Sequence, residues 1–116
     1  MDERIEKAFQ TANFMATITN QRRIAFEEFE QNLIFYTNGS AFKASPVLIA
    51  FVKSIIDAGF TEDVVIIDTN NVPVKINDVL AFYKAVVTQY QRVTLEYFTT
   101  YSEIRSKRKI EDLVKL

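Results

Sequence analysis

The chain of 116 residues contains no cysteine, histidine or tryptophan, and it has only two glycines and two prolines. The absence of thiols and imidazoles excludes disulfides, thiol nucleophiles, imidazole acid–base catalysis and the usual zinc, copper and haem sites. Gly39 and Gly59 are isolated, so neither belongs to a loop that cradles phosphates. Small secreted domains often depend on disulfides, and their absence therefore favours an intracellular location.

A charge excess of either sign is also absent. Fourteen Lys and Arg residues oppose fifteen Asp and Glu, for a net charge of −1, so no overall field attracts nucleic acid or an anionic membrane. The apolar runs are too short to span a bilayer, and the charged N-terminus predicts no signal peptide. We expect a soluble, cytoplasmic protein with no membrane partner.

The residues that are present are typical of a globular protein, with 48% hydrophobic and 25% charged residues and with 10 Phe and 5 Tyr. This length and composition predict a single domain over residues 1–116. Residues 105–116 form its C-terminal tail, which is first basic and then amphipathic. Neither repeats nor linkers interrupt the chain.

The first 19 residues fit two structures. Phe14, Ala16 and Ile18 alternate with more polar residues, as in a strand, but a helix continuing from the N-terminus fits nearly as well. That helix would begin with an apolar stripe at helical spacing: Ile5, Ala8, Phe9 and Ala12.

A second helix is predicted to begin at Thr19 or Asn20 and to end at Asn38-Gly39, which can adopt a left-handed conformation. Its apolar residues recur at helical spacing: Phe26, Phe29, Leu33 and Tyr36. Residues 41–44 are predicted to form a short strand.

Ser45-Pro46 predicts another helix start, because serine caps a helix and proline suits its first position. Gly59 should end this helix, which we expect to be the most buried one, with Phe60 packing back against it.

A hairpin is predicted for residues 64–68 and 72–76, with Asn70-Asn71 as its two-residue turn. Asn77 or Asp78 then caps a helix whose apolar positions continue to Ile104, over roughly 39 Å. The predicted fold is α+β: a small three-stranded sheet (one short strand plus a hairpin) with three main helices, the last one long.

Acidic residues near the hairpin offer no convincing site. Asp68-Thr69-Asn70-Asn71 resembles the start of a calcium loop, but Val72, Pro73 and Val79 stand where the pattern needs an oxygen ligand, a glycine and a glutamate. If Asp63, Asp68 and Asp78 converge near one end of the hairpin, they could hold Mg²⁺ or act as an acid–base pair. No motif fixes their geometry, however, and turns and helix starts recruit Asp for backbone hydrogen bonds alone. We expect no metal, cofactor or catalytic residue, and no enzyme activity.

A seven-residue repeat of Tyr83, Tyr90, Tyr97 and Ile104 marks the long helix. It indicates either a pair with the Phe26 helix or the seam of an oligomer. Such a helix is long for a domain whose radius of gyration should be roughly 13 Å, so we expect part of it to find a partner, in a homodimer, a higher oligomer or a tight complex with another protein. The candidate interface residues are Tyr90, Tyr97, Tyr101, Ile104, Ile110 and Leu113. Residues 110–116 could instead cover this chain's own core.

The basic cluster of the tail supports an alternative function. Phosphate contacts could come from Arg105, Lys107, Arg108 and Lys109, joined by Arg22 and Arg23. Cations near a helix C-terminus also complement its dipole while remaining solvated.

Four stretches resemble small uncharacterised proteins of T4-like tailed phages of marine bacteria: residues 32–42, 48–59, 63–76 and 108–116. The resemblance covers somewhat under half of the chain and implies an accessory or assembly protein that acts in the host cytoplasm or the virion. The sequence therefore predicts a non-catalytic protein-interaction protein, with a nucleic-acid-binding accessory factor as the alternative.

Overall fold

The computed structural model describes residues 2–107, and its elements alternate between helices and hairpins. The order is α1 (Glu3–Asn32), β1 (Ile34–Thr37), β2 (Ser40–Lys43), α2 (Pro46–Asp57), β3 (Glu62–Ile67), β4 (Pro73–Asp78) and α3 (Val79–Ser106). The α+β class is confirmed. The predicted three-stranded sheet is wrong, because the four strands form two separate antiparallel sheets of two strands each.

Helix α1 runs without interruption for 30 residues. The alternating pattern around Phe14 is therefore helical, which resolves the two readings of the first 19 residues. No glycine or proline interrupts this stretch. Ile18 and Ala25 are buried, and they lie seven residues apart on one face, whereas a strand would bury alternate residues.

The helix predicted to end at Asn38-Gly39 ends instead at Asn32, and the chain continues into the β1–β2 hairpin. Asn38 has φ 52° and Gly39 has φ 73°, so these two residues form the hairpin turn, in which both central residues need positive φ. Phe35 lies opposite Phe42 across the strands. The predicted strand near residues 41–44 is confirmed as β2.

Both predicted ends of α2 are confirmed. The Ser45 side chain accepts a hydrogen bond from the Leu48 N–H. At the other end Gly59 has φ 95°. The N–H groups of Gly59 and Phe60 donate to the carbonyls of Ile56 and Ile55, which is the Schellman arrangement.

The expectation that α2 is the most buried helix is wrong. Val52 is fully buried, but Val47 and Phe51, four residues apart, are 79% and 51% exposed, and Phe60 is exposed as well. The helix therefore has one buried face and one exposed face, as is usual when only one side meets a sheet.

The second hairpin is confirmed, but its turn is longer than predicted. Ile67 pairs with Pro73, which leaves residues 68–72 as the loop. Asn71 has positive φ, at 62°, and Asn70 does not. The N–H and the hydroxyl of Thr69 both donate to the Ala41 carbonyl, each at 2.9 Å, so this loop is hydrogen-bonded to β2.

The described residues form two compact units. The sheet-containing unit is Glu30–Leu95, and its core joins both hairpins to α2 and the first part of α3. Phe42 and Phe82 meet edge to face, with ring centroids 5.1 Å apart. Fully buried side chains around them are Val52, Val79 and Val86.

The helical unit consists of residues 2–29 and 96–107, which belong to α1 and α3. Its small core contains Ile18, Ala25 and Ile104, with Phe14 and Tyr97 half-buried against them. Tyr97 stacks on Phe29, which lies further along α1. The two helices are therefore antiparallel within this unit.

Candidate interaction surface

The tyrosine stripe of α3 lies largely within the two cores. The Tyr97 ring stacks on Phe29 at 4.7 Å and meets Phe26 edge-on at 6.2 Å. Ile104 is only 7% exposed. Of the two structures that the repeat allowed, the intramolecular helix pair accounts for Tyr97 and Ile104.

The remaining candidates for the interface are spread over several environments. Tyr90 is half-buried in the sheet-containing unit, and Tyr101 is half-buried in the helical unit, where it packs edge-on against Tyr97 at 6.1 Å. Ile110 and Leu113 lie outside the described residues.

Two of the candidate cations converge on one ring. The guanidinium carbons of Arg22 and Arg105 lie 5.6 and 5.7 Å from the Tyr101 centroid, within the range of cation–π attraction. Arg23 is engaged elsewhere, since its guanidinium bonds Glu27 at 2.8 Å and Asn20 at 2.6 Å. Arg108 and Lys109 lie outside the described residues.

An exposed apolar stripe occupies the first turns of α1. Residues 2–13 are all exposed, including Ile5 at 48% and Phe9 at 59%. We call Ile5, Ala8, Phe9 and Ala12 the α1 stripe, because their spacing of three and four residues places them on one helix face. The sequence pattern had indicated this amphipathic segment without marking it as an interface.

A groove between α1 and α3 is the second candidate surface of the helical unit. It has a volume of about 240 Å³. We call it the α1–α3 groove, and the lining residues that bear on its chemistry are Gln21, Ile24, Glu28, Glu103, Ile104 and Lys107. Its floor is apolar and its rims carry charges of both signs. No sequence pattern pointed to it, because it depends on the pairing of two distant helices.

The acidic residues near the second hairpin serve the backbone. Asp68 Oδ1 accepts hydrogen bonds from the N–H groups of Asn70 and Val72, both at 2.8 Å. Asp78 Oδ1 accepts one from Ala81 at the start of α3. Over residues 2–107, no group of three acidic side chains is placed to hold a metal ion.

Neither a protein-family model nor a curated protein nor a solved structure matches this chain. Within residues 2–107, none of the three helices combines the length and the apolar character needed to cross a membrane.

Proposed function

We propose that this chain is a non-catalytic interaction protein that self-associates through the α1 stripe. The observation that carries the proposal is the exposure of Ile5 and Phe9 on a helical segment in which every residue from 2 to 13 is exposed. A helix face of this kind gains free energy by burying its apolar side chains against a partner.

A second copy fits the stripe because the stripe is complementary to itself. Its residues alternate in size along the helix: Ile5, Ala8, Phe9, Ala12. When two copies run antiparallel about the midpoint between Ala8 and Phe9, each Phe9 lies opposite an Ala8 and each Ile5 opposite an Ala12. Large residues then face small ones at every position, as in a closed two-fold interface.

The charged residues beside the stripe are compatible with this arrangement. In the same antiparallel register Arg4, which lines the surface of the stripe, falls opposite Asn13, and Glu6 falls opposite Thr11. No like charges therefore meet across the pair, which would have opposed the association. Four side chains per copy bury less area than a permanent interface needs, so we expect reversible, concentration-dependent association.

Sedimentation velocity over about two orders of magnitude in concentration tests the proposal. The wild type should show a weight-average mass that rises with concentration. Phe9→Glu should remain monomeric over the same range, because it places a charge in the centre of the pair. Gln10→Glu is the matched control, since it adds the same charge on the helix face away from the stripe and should associate like the wild type. A wild type that stays monomeric throughout would disprove the self-association.

The resemblance to small proteins of T4-like tailed phages supports an accessory or assembly role in the host cytoplasm or the virion. A self-pairing helix is suited to that role, because it joins identical copies without requiring chemistry at the interface.

A nucleic-acid-binding accessory factor is the second candidate, and the pair of guanidiniums on Tyr101 favours it. Arg22 and Arg105 are both exposed, and their convergence on one ring concentrates two positive charges in one place. Such a pair can neutralise two phosphates, and this makes binding depend on salt. The net charge of −1 opposes it at long range.

Fluorescence anisotropy with a labelled single-stranded oligonucleotide tests this second candidate. Binding is measured over a range of salt concentrations, and log K is plotted against the logarithm of the salt concentration. If the pair contacts two phosphates, the Arg22→Gln/Arg105→Gln double variant should reduce the steepness of this plot by roughly 1.4. Arg23→Gln is the control, because Arg23 already bonds Glu27. Absence of wild-type binding at low salt would exclude the candidate.

A further inference from the structure

The second hairpin leaves one backbone edge without a partner strand. Over the described residues β3 pairs with β4 alone. The Asp68 N–H donates to the Val72 carbonyl, and hydrogen-bonded pairs alternate with non-bonded pairs along an antiparallel ladder. The N–H and carbonyl groups of Val65 and Ile67 therefore point away from β4. An edge of this kind can be completed by another extended strand.

Two further contacts agree with this direction. Ile67 lies opposite Pro73, which has no N–H to donate and so fits a pair that exchanges no hydrogen bonds. Two residues after Ile67, the Thr69 N–H donates to the Ala41 carbonyl rather than to β4. The same side of the strand thus already makes one backbone hydrogen bond to another segment, and Val65 and Ile67 are the next groups along it.

The opposite edge of the hairpin is closed to a new strand. Pro73 offers no donor on that edge, and Lys75 follows two residues later as an exposed cation. Proline and lysine on an edge both oppose strand addition. Strand β3 contains neither residue type, and its Val65 and Ile67 are each 57% exposed. The free edge of β3 is therefore the edge that can accept a strand.

Carboxylates border the free edge at one end. Glu62 and Asp63 begin β3, and Asp78 lies opposite Glu62 on β4. All three are exposed, and no Lys or Arg of the described residues forms an ion pair with them. A cation brought to this end is attracted by all three. A second copy of β3 would bring only the same carboxylates, so the charges favour a different protein as the partner.

We propose that the free edge of β3 binds an extended segment of another protein by strand addition. The segment runs antiparallel to β3, which is the more stable pairing, and exchanges backbone hydrogen bonds with Val65 and Ile67. Its side chains at these two positions are apolar, and a Lys or Arg at its C-terminal end faces Glu62 and Asp63. The backbone bonds supply affinity, and the side chains supply selectivity. This surface belongs to the sheet-containing unit and does not depend on the α1 stripe.

Amide hydrogen exchange measured by NMR on the full chain tests the proposal, with the acetylated and amidated peptide TVTVTKK as the probe. In the antiparallel register its valines face Ile67 and Val65, and its lysines face Asp63 and Glu62. Saturating peptide should slow the exchange of the Val65 and Ile67 amides at least about tenfold. The Ile66 amide faces β4 and is the internal control, so its exchange should change by less than about twofold.

Two altered peptides separate the parts of the proposal. TVTPTKK lacks the N–H that would donate to the Val65 carbonyl, and TVTVTEE places carboxylates against Glu62 and Asp63. Each should bind at least about tenfold more weakly than TVTVTKK. In the Glu62→Gln/Asp63→Asn variant, the affinities for TVTVTKK and TVTVTEE should differ by less than about threefold. Glu3→Gln/Glu6→Gln is the matched control, because it removes the same charge from α1 and should keep the tenfold difference.

Unchanged exchange of the Val65 and Ile67 amides at millimolar TVTVTKK would overturn the proposal. Equal binding of TVTPTKK would also overturn it, because side-chain contacts alone would then hold the peptide. Equal affinity for TVTVTKK and TVTVTEE in the wild type would overturn the stated chemistry of the partner. Protection of the two amides that rises with protein concentration, in Phe9→Glu without peptide, would assign the edge to a second copy instead. Because Phe9→Glu removes association through the α1 stripe, the two proposals can fail separately.

Discussion

At the scale of single residues, Asp68 shows how a carboxylate that could be mistaken for a metal ligand serves the fold. It is 7% exposed, and its Oδ1 accepts from the N–H groups of Asn70 and Val72. Its own N–H donates to the Val72 carbonyl. Four polar groups of the loop are therefore satisfied through one residue, which fixes the five-residue turn.

Removal of this carboxylate should destabilise the protein. We expect Asp68→Ala to lower the free energy of unfolding by about 2 kcal/mol, because two backbone donors lose a charged acceptor. Asp68→Asn is the control, since it retains an acceptor oxygen of similar reach and should lose clearly less. Urea denaturation measures both. An Asp68→Ala variant as stable as the wild type would show that water replaces the carboxylate.

Asn70 and Asn71 illustrate the limit of reasoning from residue type. Both tolerate positive φ, and the sequence predicted a two-residue turn that used both. The structure gives the positive φ to Asn71 alone, because Asp68 bonds the Asn70 N–H and extends the loop. Hydrogen bonding by a neighbouring side chain decided which residue adopts the rarer conformation.

At the scale of elements, the first helix ends earlier than its apolar spacing predicts. Leu33 continues the helical spacing of Phe26 and Phe29, yet α1 ends at Asn32. The Leu33 carbonyl accepts from the Ala44 N–H at 2.7 Å, and the Gln89 side chain donates to the Asn32 carbonyl at 2.7 Å. Partners distant in the sequence thus replace the next helical turn.

Tyr97 connects the two helices of the helical unit, and its removal should reveal the role of the tyrosine stripe. We expect Tyr97→Ala to lower the free energy of unfolding by about 2 kcal/mol, because it removes the stack on Phe29 and the contact with Phe26. Phe98→Ala is the matched control. Phe98 is the adjacent aromatic residue and is 69% exposed. Its replacement by alanine should therefore change the free energy of unfolding by no more than about 0.5 kcal/mol.

Chemical denaturation combined with light scattering checks this prediction. An unchanged stability together with a reduced molecular mass for Tyr97→Ala would contradict the intramolecular pairing. That result would indicate instead that the tyrosine stripe forms an interface between copies, which the heptad spacing also allows.

At the scale of the whole molecule, the long helix α3 raised the question of what covers it. Its length of 28 residues agrees with the expected length, but the inference that its second half needs an external partner omitted α1. As one helix of 30 residues, α1 supplies Ile18 and Ala25 to the same core as Ile104.

The sequence by itself determined the features whose hydrogen bonds close within a few residues. These include the Ser45 cap, the Gly59 stop, the second hairpin and the start of α3, where Asp78 bonds the Ala81 N–H. Local bonds of this kind depend only on residue type and spacing. The absence of cysteine and histidine likewise excluded whole classes of chemistry.

Only the tertiary structure decided where α1 ends, that the strands form two separate sheets, and which apolar faces remain exposed. Phe9 and Tyr97 both lie on apolar helical stripes of the sequence, but Tyr97 meets Phe29 while Phe9 is 59% exposed. A helix pattern shows which residues share a face, and the partner of that face is chosen by packing between distant segments. For the same reason the α1–α3 groove could not be predicted from either helix alone.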